Sequence, residues 1–190
     1  MAWREDAKMT AGARAMSLLP YAGIPALAAA LLVIKAGNTD SFVLIWSVLV
    51  TVFGYIAAVV DLKTKQIPNG LHIAMAASWI LTMGPMLFID IEKAITLLKD
   101  AALGAALGGG IFLVVYIISR KGLGGGDVKF MAAAGLYLGL SGTISSILYG
   151  ALLSAILAAV LLIAKKIGRK DSLPLAPFLY IGILATLFFG

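Results

Sequence analysis

Long apolar runs separated by short polar segments make up most of this 190-residue chain. A helix that spans a lipid bilayer needs about 20 mainly apolar residues, and most of the runs have about this length. The seven runs lie at about residues 17–36, 41–60, 71–89, 98–119, 127–140, 143–165 and 174–190. The pattern predicts an all-α, polytopic membrane protein with about six or seven transmembrane helices.

The composition favours the same class of protein. Apolar residue types make up 62% of the chain and charged residues only 13%, whereas soluble domains contain about 25% charged residues. We therefore predict a single membrane domain over residues 1–190, in which residues 1–40 form an additional N-terminal segment and helix. Because Glu5 and Asp6 are unusual in the basic start of a signal peptide, we expect the first helix to be retained.

The basic residues predict the orientation of the helices, because short cytoplasmic loops are enriched in lysine and arginine. With a cytoplasmic N-terminus, twelve of the 15 basic residues fall on the cytoplasmic side. These residues are Arg4, Lys8, Arg14, Lys63, Lys65, Arg120, Lys121, Lys129, Lys165, Lys166, Arg169 and Lys170. We therefore expect a protein of the inner (cytoplasmic) membrane that contacts membrane lipid, and the net charge of +6 needs no nucleic acid partner to explain it.

The residue types present exclude several kinds of site. The chain contains no cysteine and a single histidine, His72. This excludes disulfides, thiolate metal sites, a cysteine nucleophile and a metal site built from several histidines. The lone histidine also has no evident triad partner. We expect no metal and no cofactor, and we interpret His72, at the start of the third helix, as an interfacial residue.

Two aspartates at the predicted cytoplasmic ends of helices are the candidate reactive groups. Asp127 follows three consecutive glycines, residues 124–126, and Asp61 ends the second apolar run. A charge at the edge of the membrane interior is costly and is usually kept for function. Two carboxyl groups in one site share a proton and so offer an acid and a base together. Such a pair can activate water against an amide, and we predict that Asp61 and Asp127 are catalytic.

The helix ends and the neighbouring polar residues suggest further roles. Asp127 begins a helix and Asp61 ends one, so the helix dipoles favour Asp127 as the base and Asp61 as the acid. Asn69 is suited to cap the third helix.

The lysines near the two aspartates have two interpretations each. Lys63 and Lys65 either hold substrate or only follow the positive-inside rule. Lys129 either acts on the carboxyl pair or on substrate, or extends its side chain to lipid headgroups.

The sequence around the two aspartates resembles a known family. The segments DLKTKQIPN at residues 61–69 and GGGDVK at residues 124–129 are similar to those of the type IV prepilin peptidases, which are membrane aspartic proteases with a GxGD motif. The segment PLAPFL at residues 174–179 also resembles one that these enzymes carry before their last helix. The likeness covers about residues 41–190.

The resemblance implies a function and a set of site residues. The implied activity is removal of a short basic leader from prepilin-like or preflagellin-like precursor proteins on the cytoplasmic side of the membrane. Asp61 and Asp127 match the two catalytic aspartates of the family. The residues expected to support them are Gly124, Gly126, Lys129, Pro68 and Asn69.

The chain also departs from many bacterial members of the family. Those members carry an N-terminal soluble segment with paired cysteines, linked to N-methylation of the new pilin N-terminus. This chain has no cysteine and resembles the short, peptidase-only branch, as in tight-adherence pilus systems or archaeal preflagellin processing. We therefore expect an aspartic endopeptidase without N-methyltransferase activity. The first helix matches no motif of the family.

Two other functions fit intramembrane acids. A presenilin-like protease shares the GxGD motif, but its first acid usually follows a tyrosine, whereas Val60 precedes Asp61 here. An ion- or proton-coupled transporter could use the same acids, but the sequence shows neither an inverted repeat nor a pair of broken helices.

Overall fold

The computed structural model describes residues 30, 40–119, 123–164 and 174–189. Within these residues every regular element is a helix. The helices are α1 (Ser41–Thr64), α2 (Asn69–Met83), α3 (Met86–Ile89), α4 (Ile91–Ile118), α5 (Gly125–Ile163) and α6 (Ala176–Phe189). The predicted first helix at about 17–36 lies, except for Ala30, outside the described residues.

The lengths and composition of these helices confirm the predicted fold class. Among the described residues, four helical segments are long and apolar enough to cross a membrane. They are Ser41–Thr64, Asn69–Ile89, Ile91–Ile118 and Gly125–Val160, and Ala176–Phe189 is a shorter apolar helix. The protein is an all-α, polytopic membrane protein.

Helix α1 extends a full turn beyond its predicted end at residue 60. The carboxylate of Asp40 caps its start by accepting the N–H of Phe42 at 3.0 Å. Lys65 ends it in a left-handed conformation (φ 53°, ψ 30°) and donates its N–H to the carbonyl of Asp61 at 2.8 Å. Asp61 therefore lies in the last turn of a helix, where the backbone fixes its position.

Helix α4 begins at Ile91, seven residues before the start expected from the apolar run. The carboxylate of Asp90 accepts the N–H of Lys93 at 3.0 Å and caps this early start. Lys93 also forms an ion pair with Asp40, which joins the starts of α1 and α4. The first turns of α4 contain polar residues, so a prediction based on apolar residues alone places its start too late.

Helix α5 is a hairpin of two arms that meet at Gly139. This glycine has φ 65° and ψ −171°, which interrupts the helix. A Cβ placed on Gly108 of α4 would lie 2.6 Å from the carbonyl oxygen of Met131 and 3.2 Å from the methyl group of Thr143. Residues twelve apart in one straight helix are separated by about 18 Å, so the chain must reverse between Met131 and Thr143. We call residues 125–138 the first arm and residues 140–163 the second arm.

The two arms correspond to the two helices predicted at 127–140 and 143–165, but the break lies at Gly139, inside the first predicted segment. The first arm packs closely on α4, because a Cβ on Gly104 would lie 2.5 Å from the carbonyl oxygen of Gly135. Small residues allow this approach between membrane helices. The packing brings the start of the first arm beside the ends of α1 and α4. We call residues 124–126, where this arm begins, the glycine turn.

Candidate active site

Asp61 and Asp127 line the same pocket. Both residues are buried, with 5% of Asp61 and 8% of Asp127 exposed. The pocket has a volume of about 450 Å³. Its lining residues are Asp61, Lys65, Gln66, Ile67, Tyr116, Leu123, Gly124, Gly125, Gly126 and Asp127. The structure therefore brings together the two acids that the sequence analysis paired.

The carboxylate of Asp61 is held by the start of α6. Its Oδ2 atom accepts the backbone N–H of Ala176 at 3.1 Å. This segment was identified from the sequence only by family resemblance and without a role. Pro177 indicates a helix start at this point of the chain, since proline is favoured in the first turn of a helix, but the contact with Asp61 depends on how α6 packs on α1.

The carboxylate of Asp127 is held by its own turn. Its Oδ2 atom accepts the N–H of Gly124 at 3.3 Å, whereas Oδ1 is buried and has no hydrogen-bond partner among the described residues. A Cβ on Gly124 would lie 3.0 Å from Oδ2 of Asp127. The glycine turn therefore folds tightly around its own acid.

Gly126 lets this turn approach the segment between α1 and α2. A Cβ on Gly126 would lie 3.2 Å from Cβ of Ile67 and 3.4 Å from its backbone nitrogen and oxygen. Ile67 is itself buried. The segment 61–69, which contains Ile67, and the segment 124–129, which contains Gly126, are thus in direct contact.

The helix ends do not distinguish the two acids. Asp127 was predicted to be the base and Asp61 the acid from the dipole of the helix to which each residue belongs. Asp127 lies at the start of α5, but the side chain of Asp61 faces the start of α6. Because both carboxyl groups face a helix N-terminus, the helix dipoles do not indicate which of them is the acid and which is the base.

Asn69 and Lys129 join the same two segments. Nζ of Lys129 donates to Oδ1 of Asn69 at 2.8 Å. The predicted cap by Asn69 is wrong, because Pro68 occupies the cap position of α2 and no side chain caps the helix. The side-chain oxygen of Asn69 accepts a hydrogen bond from Lys129 instead. Lys129 does not line the pocket, so its contact with the acids is indirect.

Of the two lysines predicted to hold substrate, only Lys65 lines the pocket. Lys63 lies in the last turn of α1 and is exposed. Gln66 and Tyr116 also line the pocket and were missed by the sequence analysis. Tyr116 lies near the end of α4, on the same predicted side of the membrane as the two acids, and that position was the available signal.

His72 is buried, with 8% of the residue exposed, and its interpretation as an interfacial residue stays a prediction. Its ring lies near the backbone of Gly126 and the charge of Lys129, because the first turn of α2 packs beside the glycine turn. Neither ring nitrogen has a hydrogen-bond partner within the described ranges. In that same part of the chain, no three histidine, cysteine or acidic residues are grouped closely enough to hold a metal ion.

Comparison with known families shows to which family the chain belongs. The model of the type IV leader peptidase family matches residues 48–163, a segment that contains both pocket acids. The chain belongs to the type IV leader peptidase family. The resemblance seen in the two motifs is thereby confirmed.

Curated relatives of this family member are named prepilin leader peptidase/N-methyltransferase. The protein from Xanthomonas campestris is 30% identical over 136 residues, which cover 69% of this chain and 45% of the relative. The one from Bacillus subtilis is 27% identical over 138 residues, covering 71% and 52%. The one from Escherichia coli is 30% identical over 137 residues, covering 68% and 56%. The chain thus spans about half the length of these relatives, and no solved structure matches it.

Proposed function

We propose that this protein is a membrane-embedded aspartic endopeptidase that removes the short basic leader from type IV prepilin-like precursor proteins. The observation that carries the proposal is the pair of buried carboxyl groups, Asp61 from α1 and Asp127 from α5, that line one pocket. Membership of the type IV leader peptidase family and the names of the curated relatives support the same reaction.

In the proposed mechanism, the two carboxyl groups share one proton and act on one water molecule. The ionised carboxylate takes a proton from water as the water oxygen adds to the carbonyl carbon of the scissile peptide bond. The protonated carboxyl group donates a hydrogen bond to the carbonyl oxygen and favours this addition. The tetrahedral intermediate then collapses as the peptide nitrogen receives a proton, the C–N bond breaks, and a carboxylic acid and an amine leave.

We place the reaction at the cytoplasmic face of the inner membrane. The pocket lies at the ends of α1 and α4 and at the start of the first arm, and the basic residues cluster in the loops at these ends. The positive-inside rule makes this side cytoplasmic. Anionic lipid on that face attracts basic segments, so it concentrates a basic leader near the pocket.

The residues around the acids have supporting roles in this proposal. Lys65 lines the pocket, and we propose that it contacts the precursor. Lys63 lies outside the pocket, and its role in substrate binding stays a prediction. The absence of N-methyltransferase activity also stays a prediction. The alternative function, an ion- or proton-coupled transporter, is not favoured by the family membership.

A cleavage assay on the full chain in detergent or in membranes tests the proposal. The substrate is a precursor with a short basic leader, and the variants are Asp61→Asn and Asp127→Asn, which keep the side-chain size and remove the acid. General acid–base groups contribute about 10²–10⁴-fold to rates, so we expect each variant to lose cleavage by about that factor. Asp90→Asn is the matched control, because asparagine also caps helices and Asp90 lies outside the pocket. Near-normal cleavage by either pocket variant would rule out the two-aspartate mechanism.

A further inference from the structure

The last helix of the chain reaches the candidate active site through its first residues. Oδ2 of Asp61 accepts the N–H of Ala176 at 3.1 Å across 115 positions of sequence. Both residues are buried, with 5% of Asp61 and 0% of Ala176 exposed. From this contact we infer that the start of α6 is a positioning element that orients the carboxylate of Asp61 in the pocket. The inference deepens the proposed function and rests on it for its catalytic consequence.

The N–H of Ala176 is available because of its place in the helix. The first N–H groups of an α-helix have no acceptor within the helix itself. In this turn the carbonyl of Leu175 accepts the N–H groups of Phe178 and Leu179 at 3.0 and 3.2 Å, while Ala176 donates to Asp61 instead. Oδ2 of Asp61 accepts this N–H, so the contact favours a single orientation of the side chain.

A second contact, about one turn further along α6, fixes the helix on α1. A Cβ on Gly54 would lie 2.7 Å from the ring of Tyr180, which shows that the ring lies directly on the backbone of α1. Tyr180 also packs edge-on against Tyr55, with the ring centroids 5.9 Å apart. Helix α6 therefore cannot slide along α1 without moving the donor that holds Asp61.

The two acids differ in how each is held. Asp127 receives its backbone hydrogen bond from Gly124, three residues earlier in its own turn. Asp61 receives its hydrogen bond from a distant helix. Removing the donor at the start of α6 should therefore disturb Asp61 and leave the turn around Asp127 intact.

Hydrogen exchange of the Ala176 amide tests the contact without any assay of activity. The chain is labelled with ¹⁵N-alanine in detergent, and Ala176→Gly identifies the resonance. A net hydrogen bond of about 0.5–1.5 kcal/mol corresponds to an exchange rate up to about tenfold faster when its acceptor is lost, which we expect in Asp61→Ala. Asp127→Ala is the matched control and should leave the rate of Ala176 unchanged. Equal rates in wild type and Asp61→Ala overturn the inference.

The catalytic consequence is tested with a pair of substitutions at Ala176. Ala176→Pro removes the N–H, and proline is tolerated at the first position of a helix, so the fold should be retained, with the melting temperature as the check. A misplacement of about 1 Å at a catalytic group can reduce the rate about 100-fold, and we expect that loss in kcat with KM unchanged. The conservative variant Ala176→Gly keeps the N–H and should keep most of the rate. Wild-type kcat in Ala176→Pro contradicts the positioning role, whereas a wild-type protein that cleaves no precursor contradicts the proposed function and leaves the exchange result to decide the contact.

Discussion

Lys129 and Asn69 are joined by a hydrogen bond of 2.8 Å from Nζ to Oδ1. The two residues are 60 positions apart and belong to the two motifs that carry the pocket acids. Each lies near its acid, with Lys129 two residues after Asp127 and Asn69 eight residues after Asp61. The bond therefore connects the segments that hold the pair at a point outside the pocket, where a substitution changes neither acid directly.

Lys129→Met is expected to weaken catalysis by loosening this connection. The substitution keeps an unbranched apolar stem and removes the charged donor, and because both side chains are exposed the bond contributes about 1 kcal/mol at most. If all of this appears in the activation barrier, kcat falls about fivefold. Steady-state cleavage of a leader-bearing precursor measures the effect.

Lys63→Met is the matched control for this prediction. Lys63 is exposed and does not line the pocket, so its removal tests for a general effect of losing one positive charge on this face. An equal loss of kcat in the two variants would show that charge, and not the bond to Asn69, is responsible, whereas a rise in KM in Lys63→Met alone would indicate the predicted role of Lys63 in substrate binding.

Gly126→Ala is expected to destabilise the protein and to reduce activity. The new methyl group would lie 3.2 Å from Cβ of Ile67 and 3.4 Å from its backbone, and overpacking of this kind costs about 1–3 kcal/mol. Thermal unfolding in detergent measures the loss. Gly125→Ala is the control, since a Cβ at Gly125 meets no atom within 4 Å. A melting temperature for Gly126→Ala equal to that of Gly125→Ala would contradict the steric account of the motif.

The ion pair between Asp40 and Lys93 predicts a pH dependence of stability. The hydrogen bond from Lys93 lowers the pKa of Asp40 below its ordinary value of 3.8. A carboxyl group with a lowered pKa stabilises the folded state above its unfolded pKa, and this contribution is lost as the pH falls through the folded pKa. The melting temperature of wild type should therefore be higher than that of Asp40→Asn near neutral pH, and this difference in melting temperature should shrink below about pH 4.

The Asp40→Asn variant separates the ion pair from the helix cap, because asparagine also caps helices. Salt screens the attraction between exposed charges, so high salt at neutral pH should also reduce the difference in melting temperature. A difference that is unaffected by both low pH and high salt would show that the ion pair makes no contribution.

The class of the protein and its pair of acids can be predicted from the sequence because both depend on local patterns of residues. Apolar runs of membrane-spanning length indicate the helices, and acids at two run ends indicate the site. The contact between Asp61 and Ala176 could not be predicted in the same way. It depends on how α6 packs on α1, and membrane helices pack through shape and small residues that carry no simple period.

The error at Asn69 has the same cause. An asparagine beside a helix start is normally a cap, but a lysine from another helix occupies its side chain. A tertiary contact here overrides a local preference that was correctly applied.

Gly139→Ala is expected to open the hairpin of α5. Gly139 has a positive φ of 65°, which an L-residue with a side chain adopts only under strain, and a Cβ there would overlap the carboxylate of Asp100. That carboxylate accepts the N–H of Leu140 at 3.0 Å and so caps the second arm, which means the substitution disturbs both the turn and its cap. We expect a loss of several kcal/mol of stability, since overpacking alone costs about 1–3 kcal/mol and backbone strain adds about 1–3 kcal/mol.

Two further variants separate these effects. Gly110→Ala is the control for adding a methyl group to a membrane helix without a steric clash, because a Cβ at Gly110 meets no atom within 4 Å. Asp100→Ala removes the cap without adding bulk, and the loss of a helix cap costs about 0.5–2 kcal/mol. The melting temperature should therefore fall most in Gly139→Ala, less in Asp100→Ala and least in Gly110→Ala. If the melting temperature of Gly139→Ala equals that of wild type, the reversal of the chain does not depend on this glycine. The hairpin must then be held by the packing of its arms on α4.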